Sequence, residues 1–268
     1  MQRMRASISY HSKPKRSIYE RLRDLSHFRE HWRYRKLVEQ LRNWPAQFTQ
    51  VVYGLPTVQL EQLVPGDVVP EPAIMEDLCL PNHVEPPGHN DLQPLLKLLK
   101  HYQPHVVVEL GTAHGNTTAN ICKQSPSAMV YSVNALPEQI SGEIITFALT
   151  RNEIGRVYRQ LGYSHRVQQI YANTLDLNLA DYLQPATVDF AIVDACHDTP
   201  FVINDFCKLV PFMRTGGIIL LHDTHPSMEE HLLGSYRACM YLRQKGYDIR
   251  HIQNTWWGYW LVPGVPSR

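Results

Sequence analysis

The sequence predicts an α/β fold: a doubly wound, mostly parallel sheet with an antiparallel C-terminal strand, preceded by an N-terminal helical extension. Three observations carry this expectation. Residues 105–123, HVVVELGTAHGNTTANICK, read as a buried strand, a glycine-bounded turn and a helix. Apolar, β-forming runs then alternate with helical stretches as far as Lys245. The chain closes with YDIRHIQ (247–253), the turn Asn254-Thr255 and WWGYWLV (256–262), the pattern of a hairpin.

The first 45 residues differ from the rest. They hold twelve Lys or Arg against four Asp or Glu, a local excess of eight positive charges. From Ser17 to Trp44, apolar residues such as Ile18, Leu22, Leu25, Phe28, Trp32, Leu37 and Leu41 recur mostly at three- and four-residue spacings. That spacing predicts a basic amphipathic helix. Its apolar stripe is rich enough to need burial, on the main domain or on a second subunit, so a homo-oligomer through this helix is one expectation. Residues 46–85 are proline-rich and read as an extended connector with little helix.

Residues 86–268 make the main domain. Asn90 or Asp91 can cap its first helix, and Leu92, Leu95, Leu96, Leu98 and Leu99 supply the buried side. After the first strand come a helix over 116–124, a strand over 128–134, a long helical stretch over 137–162 and a strand over 166–171. A short helix near 177–183, a fourth strand (188–194) and a helix from Pro200 to Met213 follow, the last capped by Asp198 or Thr199. The turn 214–217 feeds a fifth strand, 218–223, and Ser227-x-x-Glu230 is a capping box for a helix reaching Lys245.

Composition narrows the function. The net charge of +1 gives no whole-molecule case for a nucleic-acid partner. Cys79, Cys122, Cys196, Cys207 and Cys239 are odd in number and form no C-x-x-C pair, which argues against a disulfide frame or structural zinc. No apolar run approaches the ~20 residues that span a bilayer. The amino terminus lacks the apolar segment of a signal peptide, so no membrane partner and a cytoplasmic location are expected.

The turn after the first strand points to a nucleotide-like ligand. Gly111 and Gly115 give G-x-x-x-G after Glu109, not the G-x-G-x-x-G of a dinucleotide fold. This E-x-G-x-x-x-G resembles motif I of the class I S-adenosylmethionine (AdoMet) methyltransferases, and the terminal hairpin resembles the ending of their Rossmann-like sheet. The resemblance covers roughly residues 86–262. It implies that Glu109 pairs with the cofactor's ammonium, and that Gly111, Thr112 and Gly115 form the turn against which the cofactor lies. It further implies a ribose contact at Asn134, where the family usually has an acidic residue, and an adenine contact at Asn173. Both asparagines also fit plain turn chemistry.

The fourth and fifth strands end in VDACHD and LLHDTH. In an open parallel sheet these carboxyl ends face the ligand crevice, where two carboxylates can meet on one hard cation. The arrangement resembles the metal-dependent O-methyltransferases that tailor sugars and macrolide or cephalosporin antibiotics. The resemblance implies that Asp194, His222 and Asp223 hold a divalent metal (Mg²⁺ or Mn²⁺), with Asp194 also near the cofactor. It makes His197 the base acting on a small-molecule hydroxyl. His222 stands where that group commonly has a carboxylate, and imidazole shifts preference toward softer ions. The basic helix keeps an RNA methyltransferase open as an alternative. Asn134 and His222 keep open a catalytically inactive, methyltransferase-like assembly module.

Overall fold

The computed structural model describes residues 32–41, 54–75, 91–140, 148–225 and 233–264. Its centre is a single eight-stranded sheet in the order β1-β7-β8-β6-β5-β2-β3-β4. The strands are β1 (Thr57–Val58), β2 (Val106–Leu110), β3 (Met129–Asn134), β4 (Val167–Tyr171), β5 (Val188–Val193), β6 (Met213–Leu221), β7 (Arg250–Ile252) and β8 (Gly258–Leu261). β2, β5 and the end of β6 are almost wholly apolar and buried because both faces of this central region are covered. β8 lies between β6 and β7 and is antiparallel to both, as the resemblance implied, while every other pairing is parallel.

The helices are α1 (32–41), α2 (Leu60–Leu63), α3 (Leu92–Tyr102), α4 (Asn116–Gln124), α5 (Arg156–Gln160), α6 (Thr199–Leu209) and α7 (Leu233–Gln244). The two-residue alternation of the strands splits the core. Val107, Val130, Phe190, Ile192, Ile218 and Leu220 pack with Leu95, Leu98 and Leu99 of α3 and Ile121 of α4. Val108, Leu110, Val193, Ile219 and Leu221 face the other way, onto Val202 and Phe206 of α6 and Ala238 and Leu242 of α7. Trp260 of β8 stacks edge-on against Phe206 and Tyr247, fixing the hairpin to that second layer.

The chain reverses its direction of strand addition between β2 and β5, and the register places the ends of three strands level. Leu110 pairs with Val193, and Val193 with Leu221. The next residues, Gly111, Asp194 and His222, therefore emerge side by side at the crevice where such sheets bind ligands.

Several elements depart from the expectations. The stretch 137–162 is not one helix: its described parts are a 3-10 turn at Pro137–Gln139 and then α5. Gly155, at φ +71°, interrupts it and opens α5. The turn 214–217 is absorbed into β6, with a register shift against β5 between Val188 and Phe190, so His222 and Asp223 lie beyond the strand rather than in it. The connector contributes a strand, β1, which pairs with β7 at Thr57↔His251. Within the predicted 17–44 helix, residues 32–41 are helical. Leu37 and Leu41 pack on the α6–α7 layer, and Tyr34 meets the Phe201 ring at 5.2 Å. Asn90, Ser227 and Glu230 lie outside the described residues. Among the described residues, no helix is long and apolar enough to cross a membrane.

Gly111 carries the tightest approach in the crevice. It sits at φ +111°, and a Cβ there would lie 2.1 Å from the Asp194 carbonyl oxygen. Gly111→Ala should therefore lower unfolding free energy by about 3 kcal/mol or more, combining a disfavoured backbone with overlap onto backbone. Gly246→Ala is the comparison, at φ +97° with no atom within 4 Å of its Cβ. It should cost only about 1–2 kcal/mol. Urea denaturation of both variants reads the difference.

Candidate active site

The glycine turn is held from below by its own carbonyls and amides. Gly111 N and Thr112 N both donate to Val133 O, at 2.9 and 3.1 Å, which binds the turn to the end of β3. Gly155 N and Val157 N donate to Ala113 O and His114 O, both at 2.9 Å. A Cβ on Gly115 would lie 2.7 Å from the Gly155 Cα, so this glycine lets α5 dock against the turn. Gly111 likewise lacks a side chain because the Asp194–Ala195 backbone leaving β5 passes behind it. Both positions were expected to be glycine for the sake of a ligand, and the structure supplies a packing reason for each.

Glu109 does not line the cleft. It alternates onto the same face as Val107, beneath α4, where it is fully buried. Its Oε2 accepts from Thr118 Oγ1 and Ser132 Oγ, each at 2.5 Å, and Oε1 has no hydrogen-bond partner among the described residues. Burial pushes its carboxyl up to about 7, against the pull of the two hydroxyls. Thr112 also points inward, 2.6 Å from Ser132 Oγ and accepting from Gln169 Nε2 at 2.9 Å. The side chain expected to meet the cofactor's ammonium is thus engaged through Oε2 in an internal network, with Oε1 left over.

The cleft itself is lined by Gly111, Val133, Asn134, Ala172, Asn173 and Phe201 among others, around a cavity of about 50 Å³. Asn134 faces it while its Oδ1 accepts from Ala113 N at 3.0 Å. Asn173 faces it too, with Oδ1 accepting from Leu175 N and Nδ2 donating to Gln139 O. Each asparagine thus performs the turn chemistry weighed for it and still borders the cleft.

Ala195 and Cys196 complete the cleft wall, and the chain on either side of them supplies a charged cluster. Asp194, His197, His222 and Asp223 each place one ligand-type atom within 4.8 Å of the others. His197 Nε2 lies 3.1 Å from Asp223 Oδ2 and 3.4 Å from Asp194 Oδ1. His222 Nδ1 lies 3.3 Å from Asp194 Oδ1 and 3.1 Å from Asp223 Oδ1. Asp223 is held at φ +56°, the left-handed region that few non-glycine residues other than Asn and Asp enter. Gly234 in the first turn of α7 leaves room for the His197 carbonyl, which a Cβ would strike.

The electrostatics follow from this crowding. Burial alone would lower His222, but Asp194, Asp223 and Asp91 raise its proton affinity well above that of an ordinary histidine. His197 shows the same contest, with burial opposed by Asp194 and Asp223 and the carboxylates prevailing. Asp194 feels burial in one direction and His222 in the other, and stays ionised far below the usual carboxylate range. Two carboxylates and two imidazoles around one point are a donor set suited to a divalent cation.

Asp91 joins the site from 131 residues away, with Oδ2 at 2.9 Å from His222 Nε2. The sequence offered it only as a helix cap. Nothing local distinguishes it from a cap, because its partner belongs to a strand end that folding brings alongside. Trp257 is a second unforeseen neighbour, its ring centroid 4.5 Å from that of His222.

Residues 108–224, a little under half of the chain, match the family model described as a methyltransferase domain. The match spans both the glycine turn and the cluster. Among solved structures, the O-methyltransferase from Bacillus cereus in complex with SAH is similar at 16% identity, with 75% of this chain and 95% of that one covered and a TM-score of 0.49. The O-methyltransferase TomG from Streptomyces achromogenes, involved in tomaymycin synthesis and in complex with SAM, is similar at 18% identity, with 63% and 78% covered and a TM-score of 0.47. No curated protein matches the chain.

Glu109 makes stability depend on pH in a stated direction. Folded, it keeps its proton up to about pH 7, whereas the ordinary carboxyl releases it near 4.5. The folded chain therefore binds more protons across that window, and stability falls as pH rises through it. The loss approaches ~3 kcal/mol at 1.36 kcal/mol per pKa unit. Glu109→Gln should remove it. Asp205, raised to about 6 by burial, contributes the same sign in both proteins and cancels in the comparison. Urea denaturation of both proteins at pH 4.5, 6 and 7.5 measures the effect.

Proposed function

We propose that this methyltransferase domain takes AdoMet as donor and methylates a hydroxyl of a small molecule, assisted by a divalent cation at Asp194, His222 and Asp223. One observation carries the reading: the Asp–His–His–Asp cluster stands at the wall of the Gly111 cleft, inside the matched segment. A donor in the cleft and an acceptor at the cluster would be neighbours, as transfer in line with the sulfonium bond requires.

The chemistry explains the residue types. An aliphatic hydroxyl is about as weak an acid as water, pKa ~15.7. Ionising it at pH 7 costs nearly 9 units, or ~12 kcal/mol at 1.36 kcal/mol per unit. Asp194, His222 and Asp223 would hold a divalent cation, which would supply positive charge against the acceptor oxygen and offset the carboxylates' own charge. His197 is the base in this reading. Its Nε2 sits at the rim of the cluster, and its side chain is more exposed (22%) than that of His222 (12%), so an acceptor's proton can reach it. Asp194 and Asp223 hold that ring in place and strengthen it as a base. Phe201 and Ile140 help close the cleft with apolar surface, which limits competing water. The described cysteines are all thiols, in keeping with a reducing, cytoplasmic setting.

Calorimetric titration should show AdoMet binding to the wild type and, with equal affinity, to His197→Ala. Transfer of labelled methyl to a panel of hydroxylated sugars and natural products should fall by ~10²–10⁴ in that variant. Treatment with EDTA should abolish transfer, and Mn²⁺ or Mg²⁺ should restore it. Failure of the wild type to bind AdoMet at all would remove the proposal.

A further inference from the structure

Asp91 stands at the N-cap of α3, yet its carboxylate caps nothing. Aspartate at that position ordinarily accepts a backbone N–H from the first helical turn. Here Oδ1 accepts from Trp256 N at 2.9 Å, and Oδ2 lies 2.9 Å from His222 Nε2. The side chain is wholly buried, so an unpaired oxygen would be costly. An ionised carboxylate only accepts, and Oδ2 is satisfied only when Nε2 carries the hydrogen.

That requirement decides the character of the other ring nitrogen. With Nε2 committed to Asp91, Nδ1 is the nitrogen left for a metal, giving up its hydrogen on ligation. Nδ1 faces Asp194 Oδ1 at 3.3 Å and Asp223 Oδ1 at 3.1 Å. In the free site the Nδ1 hydrogen lies between these two carboxylates, and a divalent cation can take its place. The ring plane is held from the same turn: Trp257 packs on the imidazole, and its Nε1 donates to the Asp91 carbonyl at 2.9 Å. Metal-binding histidines are oriented in this way, with the second nitrogen donating to a carboxylate.

We infer that Asp91 is a positioning residue which, by accepting from His222 Nε2, makes Nδ1 a metal donor and biases the site toward Mn²⁺ over Mg²⁺. The inference rests on the metal-assisted reading proposed above. Imidazole nitrogen suits the later divalent transition ions, whereas Mg²⁺ prefers carboxylate and water oxygen. A third carboxylate in place of His222 would lack that bias, and His222 without Asp91 would lose the acceptor that fixes Nε2 as the nitrogen keeping its hydrogen.

Mn²⁺ binding to the full chain can be followed by electron paramagnetic resonance of the unbound ion, with Mg²⁺ measured by competition. Asp91→Asn keeps an oxygen for Trp256 N–H but sets an amide donor against Nε2, which forces the imidazole hydrogen onto Nδ1. Mn²⁺ affinity should fall ~10–100-fold, with a much smaller change for Mg²⁺, so the Mn²⁺/Mg²⁺ affinity ratio collapses. An equal fall for both ions marks Asp91 as merely structural and overturns the inference, as does unchanged Mn²⁺ affinity. A wild type that binds neither ion overturns the inference and the metal-assisted reading together, while AdoMet titration of the same sample separately tests the donor. Should Asp91→Asn fail to fold, imidazole ¹⁵N spectra of the wild type with Zn²⁺ decide. Hydrogen on Nε2 alone is expected, and hydrogen on Nδ1 overturns the inference.

Discussion

The close passage of the Gly111 backbone behind the Asp194 carbonyl is the constraint on which the site depends. β2 and β5 are hydrogen-bonded neighbours, and the chain leaves both at the same level. A side chain at Gly111 would enter the Asp194 carbonyl, so the strands could not end together with any other residue there. The level ending brings Asp194 to the cleft wall, and the next pairing, Val193 with Leu221, brings His222 and Asp223 beside it. One backbone contact thereby links the wall of the cleft to the charged cluster.

The cluster is balanced by proximity rather than by solvent. Asp223 and His222 are nearly excluded from water, with side chains 3% and 12% exposed. Charges in that setting are tolerated only when each has a partner. The cluster meets the condition by alternating acid and base: Asp91 to His222, His222 to Asp194 and Asp223, and both of these to His197. Removing one member leaves its neighbours facing like charge or an unshared lone pair. The positive φ of Asp223 belongs to the same economy, since an unfavourable backbone persists where several contacts over-determine it.

Glu109 follows a different logic in the same strand. One residue of alternation directs it away from the cleft into the layer beneath α4, where two hydroxyls share one oxygen and burial favours the protonated acid. A motif read along the chain places Glu109 beside the glycines. The pleat of the strand sends it to the opposite side from the side chains of Val108 and Leu110. That outcome was open to anticipation from the two-residue period, since Val107 and Glu109 must share a face.

The sequence by itself determined the sheet, because a strand buried on both faces is written in mostly apolar residues, and runs such as VDFAIV leave little else to build. It also determined which side chains stand at strand ends, since Asp194, His222 and Asp223 follow directly on such runs. Their meeting, however, came from register, which sets residues level across the sheet without any mark in the local chain. Tertiary structure alone decided that Asp91 serves His222 rather than its own helix, that Gly115 makes way for Gly155, and that the two residues of β1 join the sheet. In each case the deciding contact joins segments whose separation along the chain leaves no local periodicity to read, and only the packed sheet brings the partners within reach.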